Sequence, residues 1–279
     1  KDTKTWTLLH RLTLPGVSEC PDLFELPVDG DPGDTRWVFW GANGGYVLGR
    51  FDGRTFIPET PVQHAEQGTN GYAAQTWSDL PAEDGRRIQI SWMAGGKYPS
   101  MPFNQQMSFP VELTLRRYED GLFLCRTPVR EIERLYGKQH AWEGYTLAAG
   151  DRLIPETAHD LFDIRLDCGI GERAKGRKGE GQSGILGLVV RGHAVEYDFG
   201  AQTLSCLGKT VPLKPEDGRV KLRLLVDRTS LEVFSHDGRL SMSCCFLPEA
   251  ADVPVEVYAR DGRVELHELR IHELRSIWG

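Results

Sequence analysis

The chain has 279 residues, 40% of them hydrophobic and 26% charged, an ordinary globular composition with enough length for one large or two medium domains. Its formal net charge of −7 argues against a nucleic-acid partner, which would require a basic patch. No stretch approaches eighteen consecutive apolar residues, the length of a membrane-spanning helix, so no membrane partner is expected either.

The chain opens Lys-Asp-Thr-Lys-Thr-Trp, with neither an initiator Met nor the apolar core of a signal peptide, which suggests a piece of a longer or processed protein. The first distinctive stretch is Ser18-Glu19-Cys20-Pro21-Asp22, where two carboxylates flank a thiol and a proline at the entrance to an apolar run. Proline fixes its own φ and keeps the preceding residue out of the right-handed helix. Cys20 is therefore expected to be extended, with Glu19 on extended chain. Residues i and i+2 share a face of such a chain. Glu19 and Asp22 should then face opposite ways, one looking into a cleft while the other braces the backbone. Spacing alone is equally compatible with two solvated surface acids.

The pattern beyond is β throughout. Trp37–Trp40, Tyr46–Phe51, Tyr72–Trp77 and Arg87–Met93 are short aromatic and β-branched runs, separated by clusters such as Asp52-Gly53 and Pro81-Ala82-Glu83-Asp84-Gly85. This spacing favours a sandwich, barrel or propeller, and no strict repeat selects among them. Val111–Leu115 predicts another strand. Val129, Ile132 and Leu135, three apart, predict a helical turn that connects two domains.

From about residue 140 a second all-β unit is expected, with strands at Leu161–Leu166, Ile185–Val190, Val220–Val226 and Leu231–Phe234. Residues 172–181, charged and rich in glycine, read as a mobile hairpin tip. A phosphate loop would need a lysine-serine signature and a following helix. Val264–Leu274 reads as a strand of strict alternation. His267 and His272, five apart on it, should face opposite ways and so make a poor metal pair, and the His236-Asp237 pair reads as an ordinary turn. The six cysteines (20, 125, 168, 206, 244, 245) show no zinc spacing and read as buried free thiols; they leave the compartment open.

Taken in order, Glu19–Pro27, Gly41–Tyr46, Tyr72–Trp77, Arg87–Met93, Met101–Met107 and Leu225–Phe234 resemble glycoside hydrolase family 32, the levanases, invertases and inulinases. The likeness runs from end to end of the chain. It implies an all-β fold, with about the last three blades of a five-bladed β-propeller at residues 1–118. A linker at 119–136 and a β-sandwich at 137–279 would follow. It implies fructosyl-bond hydrolysis with retention, in which a carboxylate nucleophile attacks the anomeric carbon while a protonated carboxyl group serves the leaving oxygen. Two carboxyl groups in one poorly hydrated pocket raise the acid's pKa.

Glu19 matches the general acid/base, with Cys20 and Asp22 as tuning neighbours. Trp92 matches a tryptophan lining the sugar pocket, its flat face suited to sugar C–H groups; without the family it reads equally as a core tryptophan. Asn70 and Tyr72 fall where the family carries Asp-x-Tyr at the pocket rim. The Asn there removes a charge. Asp227 and Glu232 match a structural motif of the sandwich.

The family's nucleophile motif, like Trp-Met-Asn-Asp-Pro-Asn-Gly, and its Arg-Asp-Pro motif do not occur in these 279 residues, and Lys1–Leu9 resembles the strand that closes a second blade. The expectation is therefore a chain that carries the acid but lacks the nucleophile, inactive alone, whose open strand edges call for a second copy or a complementing N-terminal segment. The substrate implied is a fructan or sucrose, with no metal or organic cofactor. Two other roles stay open at this level, a sugar-binding module without catalysis and a purely structural β-sandwich.

Overall fold

A computed structural model describes residues 2–99, 101–170, 183–249 and 253–278. The first unit is a curled sheet of nine strands. Its members are β1 (Asp22–Val28), β2 (Asp31–Trp40), β3 (Gly45–Phe51), β4 (Phe56–Pro58), β5 (Gln63–His64), β6 (Gly71–Thr76), β7 (Arg87–Met93), β8 (Val111–Tyr118) and β9 (Gly121–Pro128). β1 to β4 form one antiparallel meander and β6 to β9 another. They join where β1 meets β8 in parallel at Val28 and Leu115. β9, in the stretch expected to link the units, pairs with β8 along its whole length, so the connecting stretch narrows to residues 129–135.

That connection is a 3₁₀ turn, Arg130–Leu135, in which residues three apart lie above one another. Val129 and Ile132 are accordingly buried together. The second unit is a sandwich of two six-stranded sheets. In chain order its strands are β10 (Tyr136–Leu147), β11 (Arg152–Leu153), β12 (Phe162–Ile170), β13 (Ile185–Val190), β14 (His193–Asp198) and β15 (Thr203–Cys206). Then come β16 (Lys209–Pro212), β17 (Arg219–Val226), β18 (Ser230–Ser235), β19 (Leu240–Cys245), β20 (Val255–Arg260) and β21 (Val264–Leu274). One sheet runs β10-β21-β12-β17-β18-β19, the other β11-β20-β13-β14-β15-β16. The architecture is all-β, a partial β-propeller followed by a β-sandwich.

Three sequence expectations change in detail. Residues 2–9, expected as a blade's closing strand, carry no strand, and Trp6, Leu8 and Leu9 stand exposed. A strand needs a neighbour's N–H and C=O groups, and among the described residues no strand pairs with them. β21 does not alternate strictly: Leu266 and Leu269 are both fully buried because its pairing with β12 slips by one residue at His267. His272 stacks on Tyr136 with ring centroids 3.9 Å apart, while His267 lies against Gly169. Finally, Cys20 is an exposed thiol; Cys125, Cys168, Cys206 and Cys244 are buried, Cys245 is half-buried, and all six are free. The glycine-rich stretch at 172–181 lies outside the described residues.

The two units share a core. Leu225 and Phe234 of the sandwich, together with Val129, Ile132, Leu161 and Leu274, pack against Phe24, Leu26, Leu113 and Leu124 of the first sheet. β18 and β19 make this contact because each presents two different faces. Leu231, Val233, Met242 and Cys244 point into the sandwich core, whereas Glu232, Phe234, Ser241 and Ser243 point at the first sheet.

β19 ends its sheet and would leave a row of free backbone groups. Residues 65–70 cover it: Ser241 N–H donates to Ala65 O (3.0 Å), Gln67 N–H to Ser241 O (2.8 Å) and Asn70 N–H to Ser243 O (3.0 Å). The approach is close enough that a Cβ on Gly68 would stand 2.3 Å from Ser243 N.

At the centre of this seam lies a buried ion pair. Arg126, fully buried on β9, bonds Glu66, and its remaining donors reach Ser241 Oγ (2.6 Å), Ser91 Oγ (3.2 Å) and Gln89 Oε1 (3.1 Å). Glu66 also accepts from the Ser243 N–H (2.8 Å) and Ser243 Oγ (2.9 Å). A second buried carboxyl group, Glu232, accepts from the Phe109 N–H (2.7 Å) and lies 3.2 Å from Ser243 Oγ. Burial pushes its pKa up to about 8, with the nearby Glu66 adding to the rise. The neutral form fits this place, where one arginine already answers one carboxylate.

Removing one member of a buried pair strands the other charge. Arg126→Met should therefore cost about 3–5 kcal/mol in denaturant unfolding, and the double change with Glu66→Gln should recover part of that loss. A smaller loss from the single than from the double change would overturn the pairing. Glu232 binds its proton more tightly in the folded chain than in the unfolded one. Its contribution is thus complete below the ordinary carboxyl range and is lost as pH rises towards 8, at up to about 1.4 kcal/mol per pH unit. In Glu232→Gln that component of the pH dependence should vanish from unfolding curves recorded between pH 5 and 9.

Candidate active site

Glu19 lies on a short loop just before β1, and hydrogen bonds from Ala42 and Asn43 fix that loop. The Ala42 N–H donates to Glu19 O (2.7 Å), and the Ala73 N–H in turn donates to Ala42 O (2.9 Å). Asn43 adds a clamp: its N–H reaches Ser18 Oγ (3.0 Å) and its amide donates to Gly16 O (3.0 Å). The Gly41-Ala42-Asn43-Gly44-Gly45 turn is thus the seat of the acid loop. Gly41 is required there, because a Cβ would stand 2.5 Å from Val17 Cγ1 and 2.9 Å from Ser18 N.

The extended conformation expected for Cys20 is not what the chain adopts. Glu19 and Cys20 form a bend, and Cys20 has φ = +52°. Proline bars its predecessor from the right-handed helix, and here the left-handed region is used instead. The bend is held by the Gln75 side-chain amide, which donates to Cys20 O (3.0 Å). Ala73, at an irregularity between β6 and β7, also has positive φ (+48°). Non-glycine residues adopt this region at a cost, and such strain concentrates at functional sites.

The side chains then divide as follows. Glu19 Oε1 accepts a hydrogen bond from the Tyr72 hydroxyl at 2.7 Å, and that bond pushes the Tyr72 pKa up. Asp22 turns the other way and braces the chain, accepting from the Thr76 N–H at 2.8 Å. Tyr72 stands directly opposite Trp92 in the β6–β7 pair, and the two rings meet edge to face at 6.2 Å. The Trp92 indole N–H donates to Gln105, and the residue is 37% exposed, so part of it remains open to solvent. Met107, which bridges Trp92 across an isolated antiparallel pair, is exposed as well.

Glu19, Tyr72 and Trp92 therefore come together. Asn70 is placed beside them but is turned towards the sandwich: its Oδ1 accepts from the Cys245 N–H (2.7 Å) and its Nδ2 donates to Ala94 O (2.6 Å). Cys20 keeps an exposed thiol adjacent to Glu19. Glu66 and Arg126, which anchor the segment leading into β6, were missed from the sequence. The available signal was an arginine that directly follows the apolar run Leu122–Cys125 within one strand.

Residues 1–128 match the model for the glycosyl hydrolases family 32 N-terminal domain, and residues 131–273 match that for the family 32 C-terminal domain. The chain belongs to glycosyl hydrolase family 32. Among curated relatives, it is 35% identical to a levanase of Bacillus subtilis (strain 168), covering 100% of this chain and 46% of that enzyme. It is 32% identical to a levanase of Bacillus sp. (strain L7), over 94% of this chain and 32% of the relative. The chain thus spans about half the length of these levanases or less.

Solved structures agree in fold. An exo-inulinase from Aspergillus awamori superposes with a TM-score of 0.79 at 23% identity, over 99% of this chain and 61% of its own. A fructofuranosidase from Schwanniomyces occidentalis complexed with fructose gives 0.81 at 18% identity, over 98% and 64%.

Two outcomes are expected of this family 32 site. Glu19→Gln removes the charge that holds the Tyr72 proton, so Tyr72 should ionise at lower pH, read from the ¹³Cζ shift of labelled tyrosine; an unmoved titration would separate the two groups. Gly41→Ala should shift the amide resonances of residues 17–20 while leaving those of β8 and β9 in place, and a change confined to residue 41 would contradict the seating role.

Proposed function

We propose that this chain is the acid-bearing part of a retaining β-fructofuranosidase-type hydrolase acting on fructan or sucrose. The observation that carries the reading is the Glu19 carboxyl group, held by the Tyr72 hydroxyl beside the part-exposed Trp92. Trp92 offers a flat apolar face to the C–H groups of a fructofuranosyl ring. Glu19, in its protonated form, gives its proton to the glycosidic oxygen as the bond to the anomeric carbon breaks. It then takes a proton from the water that releases fructose from the covalent intermediate. Tyr72 fixes the orientation of the carboxyl group, Asp22 holds β6 against β1, and Cys20 forms the bend that aims Glu19.

The nucleophile is supplied from outside these 279 residues, since no Trp-Met-Asn-Asp-Pro-Asn-Gly-like segment occurs in them. An acid without its nucleophile has no covalent route, so the chain alone does not turn over substrate. The exposed Trp6, Leu8 and Leu9 suit packing against a complementing N-terminal segment or a second copy.

The test is fructose release from sucrose, inulin and levan by the chain alone and by the chain joined to a family 32 N-terminal segment that carries the nucleophile motif. No release is expected alone and release from the joined form, with Glu19→Gln lowering the latter by about 10²–10⁴-fold. Release by the chain alone that Glu19→Gln abolishes would place a nucleophile within it and refute the division of roles.

A further inference from the structure

Two cysteines meet inside the sandwich. Cys206 lies on β15, the last strand but one of its sheet, and Cys244 on β19, the edge strand of the facing sheet. Strand alternation turns both inward, Cys206 with Leu204 and Cys244 with Met242, and both are fully buried in the sandwich core. The Cys206 S–H donates a hydrogen bond to Cys244 Sγ, which lowers the Cys244 pKa and raises that of Cys206. The Thr69 N–H, on the segment that covers β19, adds to the fall at Cys244. Cys244 is therefore the thiol of the pair that ionises first. The other four cysteines are engaged elsewhere. Cys245 Sγ meets the Tyr98 hydroxyl at 3.2 Å and the Gln106 amide at 3.4 Å, Cys125 meets the Tyr118 hydroxyl at 3.6 Å, and Cys168 donates to Val220 O at 3.6 Å. Cys20 stands exposed on the acid loop.

We propose that Cys206 and Cys244 form a redox-controlled disulfide that staples the two sheets of the sandwich together. The oxidant is a small-molecule disulfide of the glutathione type. The Cys244 thiolate attacks one of its sulfurs, forming a mixed disulfide and expelling one small thiolate. The Cys206 thiolate then attacks Cys244 Sγ and expels the second. Two protein thiols are oxidised, one small disulfide is reduced to two thiols, and the two protein protons pass to them. Both cysteines are closed to solvent in the folded chain, so the exchange takes place while the sheets assemble, and the bond records the redox poise in which the chain folded. The staple falls on the strand that matters most to the seam. β19 carries Ser241 to Arg126 and Ser243 to Glu66, on either side of Met242 and next to Cys244. A bond at Cys244 ties that strand to the opposite sheet and constrains the unfolded chain between residues 206 and 244.

The test is refolding of the full chain in oxidising and in reducing glutathione buffers, followed by alkylation in denaturant and peptide mass mapping. After oxidising refolding, Cys20, Cys125, Cys168 and Cys245 should be alkylated and the peptides of Cys206 and Cys244 joined; after reducing refolding, all six cysteines should be alkylated. The oxidised form should melt roughly 5–15 °C above the reduced one. Cys244→Ala should remove that difference, and Cys20→Ala should keep it. Alkylation of all six after oxidising refolding, or a bond between any other pair, overturns the proposal, and the mapping reads this on the unaltered chain whether or not a variant folds. A 206–244 bond that leaves the melting temperature unchanged overturns the staple.

Discussion

Arg126 and Glu66 form the constraint on which the rest of the molecule depends. A guanidinium with no solvent exposure must have its donors answered, and here the answers come from both units: Glu66, Ser91 and Gln89 from the first sheet, Ser241 from the sandwich. A buried pair adds little net stability over an apolar replacement of equal shape, but it penalises every arrangement in which the partners are apart. Its effect is therefore on register. Residues 65–70 can lie along β19 in one way only, because sliding by one residue would carry Glu66 away from Arg126 and present it to the wrong face of the strand.

That register passes directly to the candidate site. The segment that covers β19 continues into β6, which carries Tyr72 four residues after Gly68. On the opposite side, the paired residues Gln105 and Gln106 divide their work. Gln105 accepts from the Trp92 indole, while Gln106 exchanges hydrogen bonds with Thr229 of the sandwich, at 2.7 Å to its hydroxyl and 3.2 Å to its carbonyl. Both members of the Tyr72–Trp92 pair are thus positioned by elements that are themselves fastened to the sandwich. The sandwich thus serves as the backing against which the Tyr72–Trp92 pair is set.

Much of this was legible in the sequence. Short apolar and β-branched runs bounded by turn residues placed β7 and β13 to the residue, because each is a half- or fully buried strand, where pattern and structure have the same cause. The acid loop could be located but not shaped. Proline excludes one conformation at Cys20 and leaves two, and the choice between them is made by Gln75, fifty-five residues away. The bulge in β21 was hidden for a similar reason: Leu266 and Leu269 differ from strict alternation by one residue, which only the partner strand β12 can interpret. The ion pair was the least legible feature. Glu66 sits among glycines and polar residues like any loop acid, and its partner lies sixty residues on.

Position 70 shows how the structure changes the meaning of a substitution read from sequence. Against the family's pattern, asparagine there looked like the loss of a charge at the pocket rim. In the fold its side chain faces two backbone groups of opposite kind, the N–H of Cys245 and the carbonyl of Ala94. The first needs an acceptor and the second a donor, so the orientation of the amide is fixed and both ends are satisfied. An aspartate would answer Cys245 equally well but would set a carboxylate oxygen against the Ala94 carbonyl, acceptor against acceptor. Asparagine is the residue that joins the end of β7 to the edge strand of the sandwich, and its neutrality is what allows it to bridge the two.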